Sequence, residues 1–384
     1  MKKRNILYVI ENECYGGGER AFAQLINGLD KEKYAVYAAC LPRSAGTASE
    51  PFADEIGRSS ELIPFDMRSL ISPLNIFRLA GIIRERKVDL VHSQGARANF
   101  YARAAANLAE KVALVSTIAS PVGEYNIGPL KKAAYLAFDR FCEASVDKFI
   151  AVAGHIERKL ARDRRIPAQK VARIYNGIES EKFIYAPAEE ASFRAELNIG
   201  RDVFLVGAFC RLSREKGLSY LVEAARKIRD AESGPAAVKY LIAGEGELEK
   251  SLKAKVKSFG LDDDFIFTGF LKDVRPALSA VDIMVLPSLR EGFPMSVLEA
   301  MAMGKPVVAF RIEGVDESVL DGVSGLLVPS GDSGALAAAI TNLHLNRDKR
   351  LAMGASGKNL VTANFGLDRT IKEHERVYEE LLKA

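Results

Sequence analysis

"VDIMVLPSLREGFPMSVLEAMAMGKPVVAF", residues 281–310, decides the fold. "DIMVLP" is a short apolar run that stops at a proline and reads as a buried strand, and "KPVVAF" reads as a second one. Between them Pro294 suits the first turn of a helix, and the residues that follow are apolar nearly all round. Strand, helix and strand in so few residues make one βαβ unit of a parallel sheet.

Two carboxylates interrupt this apolar stretch. Glu291 stands before the Gly-Phe-Pro turn and Glu299 stands inside the helix. A carboxylate among apolar neighbours is costly unless something pairs with it. Were the segment helical throughout, eight residues would separate the two by about 12 Å. Carboxylates that work together on one glycosidic bond sit about 5–9.5 Å apart. The pair therefore suits the two ends of a long ligand, such as a ribose diol and a sugar hydroxyl. The N–H groups of Met295 and Ser296 at the helix start would suit a phosphate between them. Val297, Leu298, Ala300 and Met301 argue against two incidental glutamates on an exposed face.

Outward from this unit the same alternation runs along the chain. "VFLVGAFC", "KYLIAG", "FIFTG" and "SGLLVP" read as further strands of its sheet. "ILYVI", "YAVYAAC", "VDLVH", "VALVST" and "KFIAVA" form an earlier series, with helical spacing between them. The stretch 175–202 lacks a clear strand and is rich in turn and polar residues, so it reads as a linker. The organisation expected is two Rossmann-like domains, 1–180 and 181–365, with a final helix over 366–384 packing back on the first. In open parallel sheets ligands sit at the carboxyl ends of strands, so the expected site is an interdomain cleft.

Two loops add chemistry. Gly16, Gly17 and Gly18 follow the first strand and precede a helix beginning near Glu19. Free N–H groups there suit an anion, although a plain strand–helix turn needs the same glycines. The spacing is not that of the dinucleotide fingerprint. In "FLVGAFCRLSREKGLSYLVEA", Arg211 closes a strand and Lys216 opens the next helix, so two cations meet a helix start where a pyrophosphate would be held well.

"EGFPMSVLEAMAMGKPVVA" resembles the E-x7-E signature of retaining glycosyltransferases of family 4, which have the GT-B fold. "GGGER", "IYNGIESEKF", "CRLSREKG" and "LIAGEGELE" resemble other landmarks of that family, and the resemblance covers essentially the whole chain. It implies a hexosyltransferase that uses a UDP- or GDP-sugar as substrate, with no cofactor and no required metal. It further implies that Arg211 and Lys216 grip the donor diphosphate and Glu299 the ribose hydroxyls. Glu291 would hold the donor sugar, with backbone contacts from Phe293 to Met295 and Ser296. Gly17 and Gly18 would line the cleft, and the base would sit near Thr268 to Leu271. Attack from the face of the departing phosphate would retain anomeric configuration. The acceptor implied is a glycan, a lipid-linked sugar or another hydroxyl.

One landmark is missing. The family carries a histidine after the fifth strand, where "VSTIASPVGEY" has Ala119. His92, read as ending strand four, is the candidate substitute in catalysis, or a hydrogen-bonded structural residue. Arg97 and Arg103 on the next helix are candidates for an anionic acceptor, or plain solvated charges. The missing histidine favours the rival reading, a sugar-nucleotide-binding or partner protein without turnover. "LDDDFIF" resembles a metal-binding D-x-D, but Asp262 to Asp264 precede a strand and so lie at the wrong end for a ligand.

Composition limits the alternatives. The 384 residues are 48% hydrophobic and 27% charged, with four cysteines and no CxxC pair. Neither a zinc site nor a disulfide framework is expected, and a cytoplasmic compartment fits. The apolar run after "MKKR" is too short for a signal peptide, and no run approaches the ~20 residues of a bilayer span. Residues 1–180 carry 27 Lys/Arg against 20 Asp/Glu, whereas 181–384 carry 27 against 30. No nucleic-acid motif accompanies the basic half, so an anionic membrane or a phosphate-bearing substrate is the expected partner. In "GPLKKAAYLAFDRFCEA" (128–144), Leu130, Ala134, Ala137, Phe138 and Phe141 share a face rimmed by Lys131, Lys132 and Arg140. That pattern suits either an interfacial helix or a helix packed on the sheet.

Overall fold

Two parallel sheets organise the chain. The structure is a computed structural model that describes residues 3–11, 16–41, 50–67, 72–109, 112–120, 128–140, 142–231 and 238–383. It divides into two compact units, Met1–Gly177 with Leu367–Ala384, and Ile178–Gly366.

The first unit runs β1 (Arg4–Ile10), α1 (Gly17–Gly28), β2 (Tyr34–Cys40), α2 (Glu50–Ile56), β3 (Glu61–Pro64), α3 (Pro73–Glu85) and β4 (Leu90–Gln94). It continues through α4 (Ala96–Ala109), β5 (Ala113–Ile118), α5 (Pro129–Arg140), β6 (Lys148–Ala151), α6 (Gly154–Asp163) and β7 (Val171–Arg173). The sheet order is β3-β2-β1-β4-β5-β6-β7. Helices on both faces explain why the central strands are continuous apolar runs: Ile6 to Ile10 are buried without a break. β3 and β7 are short edge strands added to the five expected.

The second unit runs α7 (Pro187–Glu196), β8 (Phe204–Phe209), α8 (Leu218–Asp230), β9 (Val238–Ala243), α9 (Glu249–Ser258), β10 (Phe265–Gly269), α10 (Arg275–Ala280) and β11 (Ile283–Leu286). Then follow α11 (Met295–Ala302), β12 (Val307–Phe310), β13 (Gly325–Val328), α12 (Ser333–Leu345) and α13 (Arg347–Asn364). Its six strands, all legible in the sequence, are ordered β10-β9-β8-β11-β12-β13. The stretch expected as a linker instead builds part of this unit. Within it α7 carries Arg194, only 6% exposed, whose guanidinium donates to the carbonyls of Ala280 (2.7 Å) and Val203 (2.9 Å). It thereby caps α10, and a capped carbonyl is what makes a buried arginine tolerable.

The last helix, α14 (Leu367–Lys383), belongs to the first unit. The Tyr378 hydroxyl meets that of Tyr8 at 2.9 Å, Thr370 Oγ1 donates to the Tyr175 carbonyl at 3.0 Å, and Asp30 N–H donates to Glu375 Oε1 at 2.9 Å. Among the described residues no helix is long and apolar enough to cross a membrane.

Candidate active site

In the second sheet β8 leads through α8 to β9 on one side, while β11 lies on its other side. The strand order reverses between β8 and β11, and such a reversal opens a crevice at the carboxyl ends of the two strands. The loops leaving those ends bring Lys216 and Glu291 together. Lys216 Nζ donates to Glu291 Oε1 at 2.7 Å, and the side chains are 20% and 8% exposed. Burial by itself pulls the Lys216 pKa down, but the Glu291 carboxylate outweighs it and holds the ammonium above its ordinary value. The lysine is therefore a fixed cation at neutral pH. Burial pushes the thiol of Cys210, just before Arg211, up to about 12, so it stays neutral.

Backbone contacts lock these loops. Gly217 has φ +61°, and a Cβ there would lie 2.0 Å from the carbonyl oxygen of Pro287. Leu289 N–H donates to the Glu215 carbonyl at 2.8 Å. Gly314, after β12, has φ +87°, and a Cβ on it would lie 2.2 Å from the carbonyl oxygen of Gly292. Only glycine allows the first two loops, and then the third, to approach this closely.

Arg211 is 57% exposed and faces Glu215 at 3.4 Å. Burial raises the Glu215 pKa, but Ser213, the local backbone, Arg211 and Lys216 together bring it below the usual range. Lys216 closes a short 3₁₀ turn (Arg214–Lys216) rather than opening α8, which starts at Leu218. Glu291 lies in the loop and Glu299 inside α11, where it is only 5% exposed among buried Val297, Leu298, Ala300 and Met301. Phe293 and Met295 are also buried, and the Phe293 ring packs on Phe365 with centroids 5.2 Å apart. What this segment can offer a ligand is thus mainly backbone. Val297 N–H makes the first helical bond, to Pro294 O (3.2 Å), and the N–H groups of Met295 and Ser296 precede it.

Sequence reasoning assigned Lys216 to a ligand's diphosphate and Glu291 to its sugar, and missed their direct pair. It also missed Glu215 and Gly217. The glycine directly after "REK" is the signal that could have found the close approach. Near Thr268–Leu271, the Gly269 carbonyl accepts from Gly244 N–H (2.8 Å) and Phe270 N–H donates to Glu245 Oε1 (3.3 Å), tying the segment to the β9 loop. Asp262 to Asp264 form the turn before β10, and Asp264 faces Arg229 at 3.4 Å.

In the first unit α1 starts at Gly17, two residues before Glu19. Gln94, at the end of β4, donates to the Gly18 carbonyl at 3.0 Å, and Gly16 N–H donates to Glu19 Oε2 at 3.0 Å. Ala119 directly follows β5 and is half-buried.

Three expectations are corrected here. His92 does not end its strand. It is the middle residue of β4 and fully buried, with Nδ1 bonded to the Tyr378 hydroxyl (2.6 Å) and Nε2 to Thr117 Oγ1 (2.7 Å). With both ring nitrogens engaged and no exposed surface, it cannot touch a ligand. Arg97 and Arg103 are not solvated. Arg97 forks onto Glu11, and Arg103, fully buried, donates to the Asp139 carbonyl and to Ser116 Oγ (3.3 Å). On α5, Leu130, Ala137 and Arg140 are exposed. The side chains of Lys131, Lys132, Ala134, Phe138 and Phe141 lie outside the described residues.

The His92 cluster sets a pH response. Burial drives His92 well below its ordinary pKa, with His374 beside it adding to the shift, and drives His374 to about 4. Both rings are neutral when folded but protonate near 6.5 when unfolded. Their contribution to stability is present above pH 6.5 and is lost as pH falls towards 4. For His374 alone the loss comes to about 3 kcal/mol over that window. Melting temperature should therefore fall from pH 6.5 to 4, and less steeply in His374→Gln.

Residues 15–182 match the family model described as Glycosyltransferase Family 4, and residues 200–346 match Glycosyl transferases group 1. The chain belongs to the family 4 glycosyltransferases. This glycosyltransferase is 26% identical to the Escherichia coli UDP-Gal:alpha-D-GlcNAc-diphosphoundecaprenol alpha-1,3-galactosyltransferase, over 99% of its own length and 98% of the relative's. It is 35% identical to the amylovoran biosynthesis glycosyltransferase of Erwinia amylovora, over 56% of its length and 52% of the relative's. Its fold is GT-B: the Anabaena protein HepE, solved with UDP and glucose, superposes with a TM-score of 0.85 at 20% identity, covering 99% of this chain and all of that one.

Proposed function

We propose that this glycosyltransferase moves a hexose from a UDP- or GDP-sugar to a lipid-linked or glycan hydroxyl with retention of configuration. The observation that carries the reading is the largely shielded Lys216–Glu291 pair at the strand-order reversal, with Glu299 buried eight residues further on. Lys216, Arg211 and the start of α11 supply positive charge for a diphosphate, so no metal is required in this scheme. Glu299 takes the ribose hydroxyls, and Glu291 takes the hexose hydroxyls when Lys216 turns to the phosphate. The acceptor oxygen bonds to the anomeric carbon on the face from which the nucleoside diphosphate leaves. The bond from that carbon to the phosphate oxygen breaks, and the departing phosphate takes the acceptor's proton. The E. coli relative's name specifies a UDP-Gal donor and an alpha-D-GlcNAc-diphosphoundecaprenol acceptor, which supports a lipid-linked sugar as acceptor here.

Ala119, where the family carries histidine, favours a second reading: nucleotide-sugar binding without turnover. Incubation with UDP- and GDP-hexoses and a diphospholipid-linked acceptor, followed by NMR of the product's anomeric proton, separates the two. A product with the donor's anomeric configuration is expected. An inverted product would overturn the retaining assignment, and ligand-induced stabilisation without any product would establish the second reading.

A further inference from the structure

Three of the large apolar side chains exposed among the described residues of the first unit lie on two of its helices. Leu74 and Phe77 on α3 are 76% and 65% exposed, and Leu130 on α5 is 88% exposed. A helix packed on a sheet normally turns a polar face outward. In α3 the inward face is conventional, with Leu79, Ala80 and Ile83 buried. Its outward face is Leu74, Phe77, Gly81 and Arg84, which fall within about 80° of arc on a helical wheel. Nothing lies within 4 Å of where a Cβ on Gly81 would be, so that face is open among the described residues. The same spacing recurs in α5, where Leu130, Ala133, Ala137 and Arg140 are all exposed. Both helices pack on α4, whose residues Ala96 to Ala106 are buried.

Both helices also follow strands of one parallel sheet, β3 and β5. Their leucine-bearing first turns therefore stand at the carboxyl edge, where such sheets take their ligands. Their arginines, Arg84 and Arg140, lie towards the other end. Around the α3 stripe Arg78, Arg84 and Lys87 outnumber Glu85, and the chain's first 180 residues are its basic half. Apolar side chains rimmed by cations are what an anionic bilayer interface takes up. Three side chains fall well short of the roughly 800 Å² per partner of a stable protein interface.

We propose that the outward faces of α3 and α5 seat the first unit on an anionic phospholipid surface, with Leu74, Phe77 and Leu130 inserted among the headgroups. This rests on the reading of a lipid-linked acceptor, since docking by that edge would bring the sheet's ligand end to a headgroup. The test is co-sedimentation of the full chain with phosphatidylcholine vesicles, with and without phosphatidylglycerol, at low and high salt. Binding is expected only with phosphatidylglycerol, and it should weaken as salt screens the arginines. The double variant Leu74→Ser, Phe77→Ser should lose about tenfold in partition coefficient with its melting temperature kept, because neither side chain is packed. Equal binding to both vesicle types, or a double variant that binds like the parent, would overturn the proposal. A nucleoside-diphosphate melting shift read on the same samples keeps the two readings apart. A shift without vesicle binding overturns docking alone, and vesicle binding without a shift overturns the donor site while docking stands.

Discussion

Lys216→Ala is expected to lower turnover about 10²–10³-fold at saturating donor, the cost of removing one preorganised charge from a site where negative charge develops. In the resting protein Lys216 neutralises Glu291 at 2.7 Å, with both side chains largely shielded. In the proposed transfer its cation is needed most by the departing diphosphate, so the loss should fall on kcat more than on donor affinity. The substitution also leaves Glu291 without its partner, which costs about 1–3 kcal/mol of stability. The two effects separate by measurement, because turnover is read at a temperature well below the variant's melting point. Lys216→Arg keeps the charge and should restore stability more than rate. Normal turnover in Lys216→Ala would reduce the residue to a structural ion pair.

Glu299→Gln should weaken nucleoside-diphosphate binding by roughly 1.5–3 kcal/mol, the range for hydrogen bonds to a charged group. That corresponds to about 10- to 150-fold in Kd. Glutamine has nearly the shape of glutamate, so the packing against Val297, Leu298, Ala300 and Met301 is kept and the fold should be little disturbed. Glu291→Gln, by contrast, acts on the sugar end and should spare the affinity for free nucleotide. The pair of variants therefore distinguishes the two ends of the ligand.

What was legible in the sequence follows from burial on two sides. β8, β11 and β12 lie inside a sheet covered by helices, so their residues form unbroken apolar runs that need no knowledge of their partners. β3 and β7 escaped because each is a short edge strand with no buried residue, and such strands carry little pattern. α7 escaped because its key residue is an arginine, ordinarily read as surface, which caps carbonyls 86 and 9 residues away. The unusual setting of Glu299 was legible because a charge inside an apolar helix is costly wherever it occurs. His92, Arg97 and Arg103 were misplaced for the opposite reason. Their partners Tyr378, Glu11 and Asp139 lie 286, 86 and 36 residues away, and only the fold brings them together. The Lys216–Glu291 pair spans 75 residues and was hidden in the same way, although each partner was identified separately.

The central claim is that the reversal between β8 and β11 is where a nucleoside diphosphate binds. Calorimetric titration of UDP and GDP into the full chain and into Glu299→Gln tests it most directly. The account predicts that one of the two nucleotides binds the parent saturably and that its affinity falls at least about tenfold in the variant. Equal affinity in parent and variant, with the variant's melting temperature unchanged, would remove Glu299 from the nucleotide site and contradict the account.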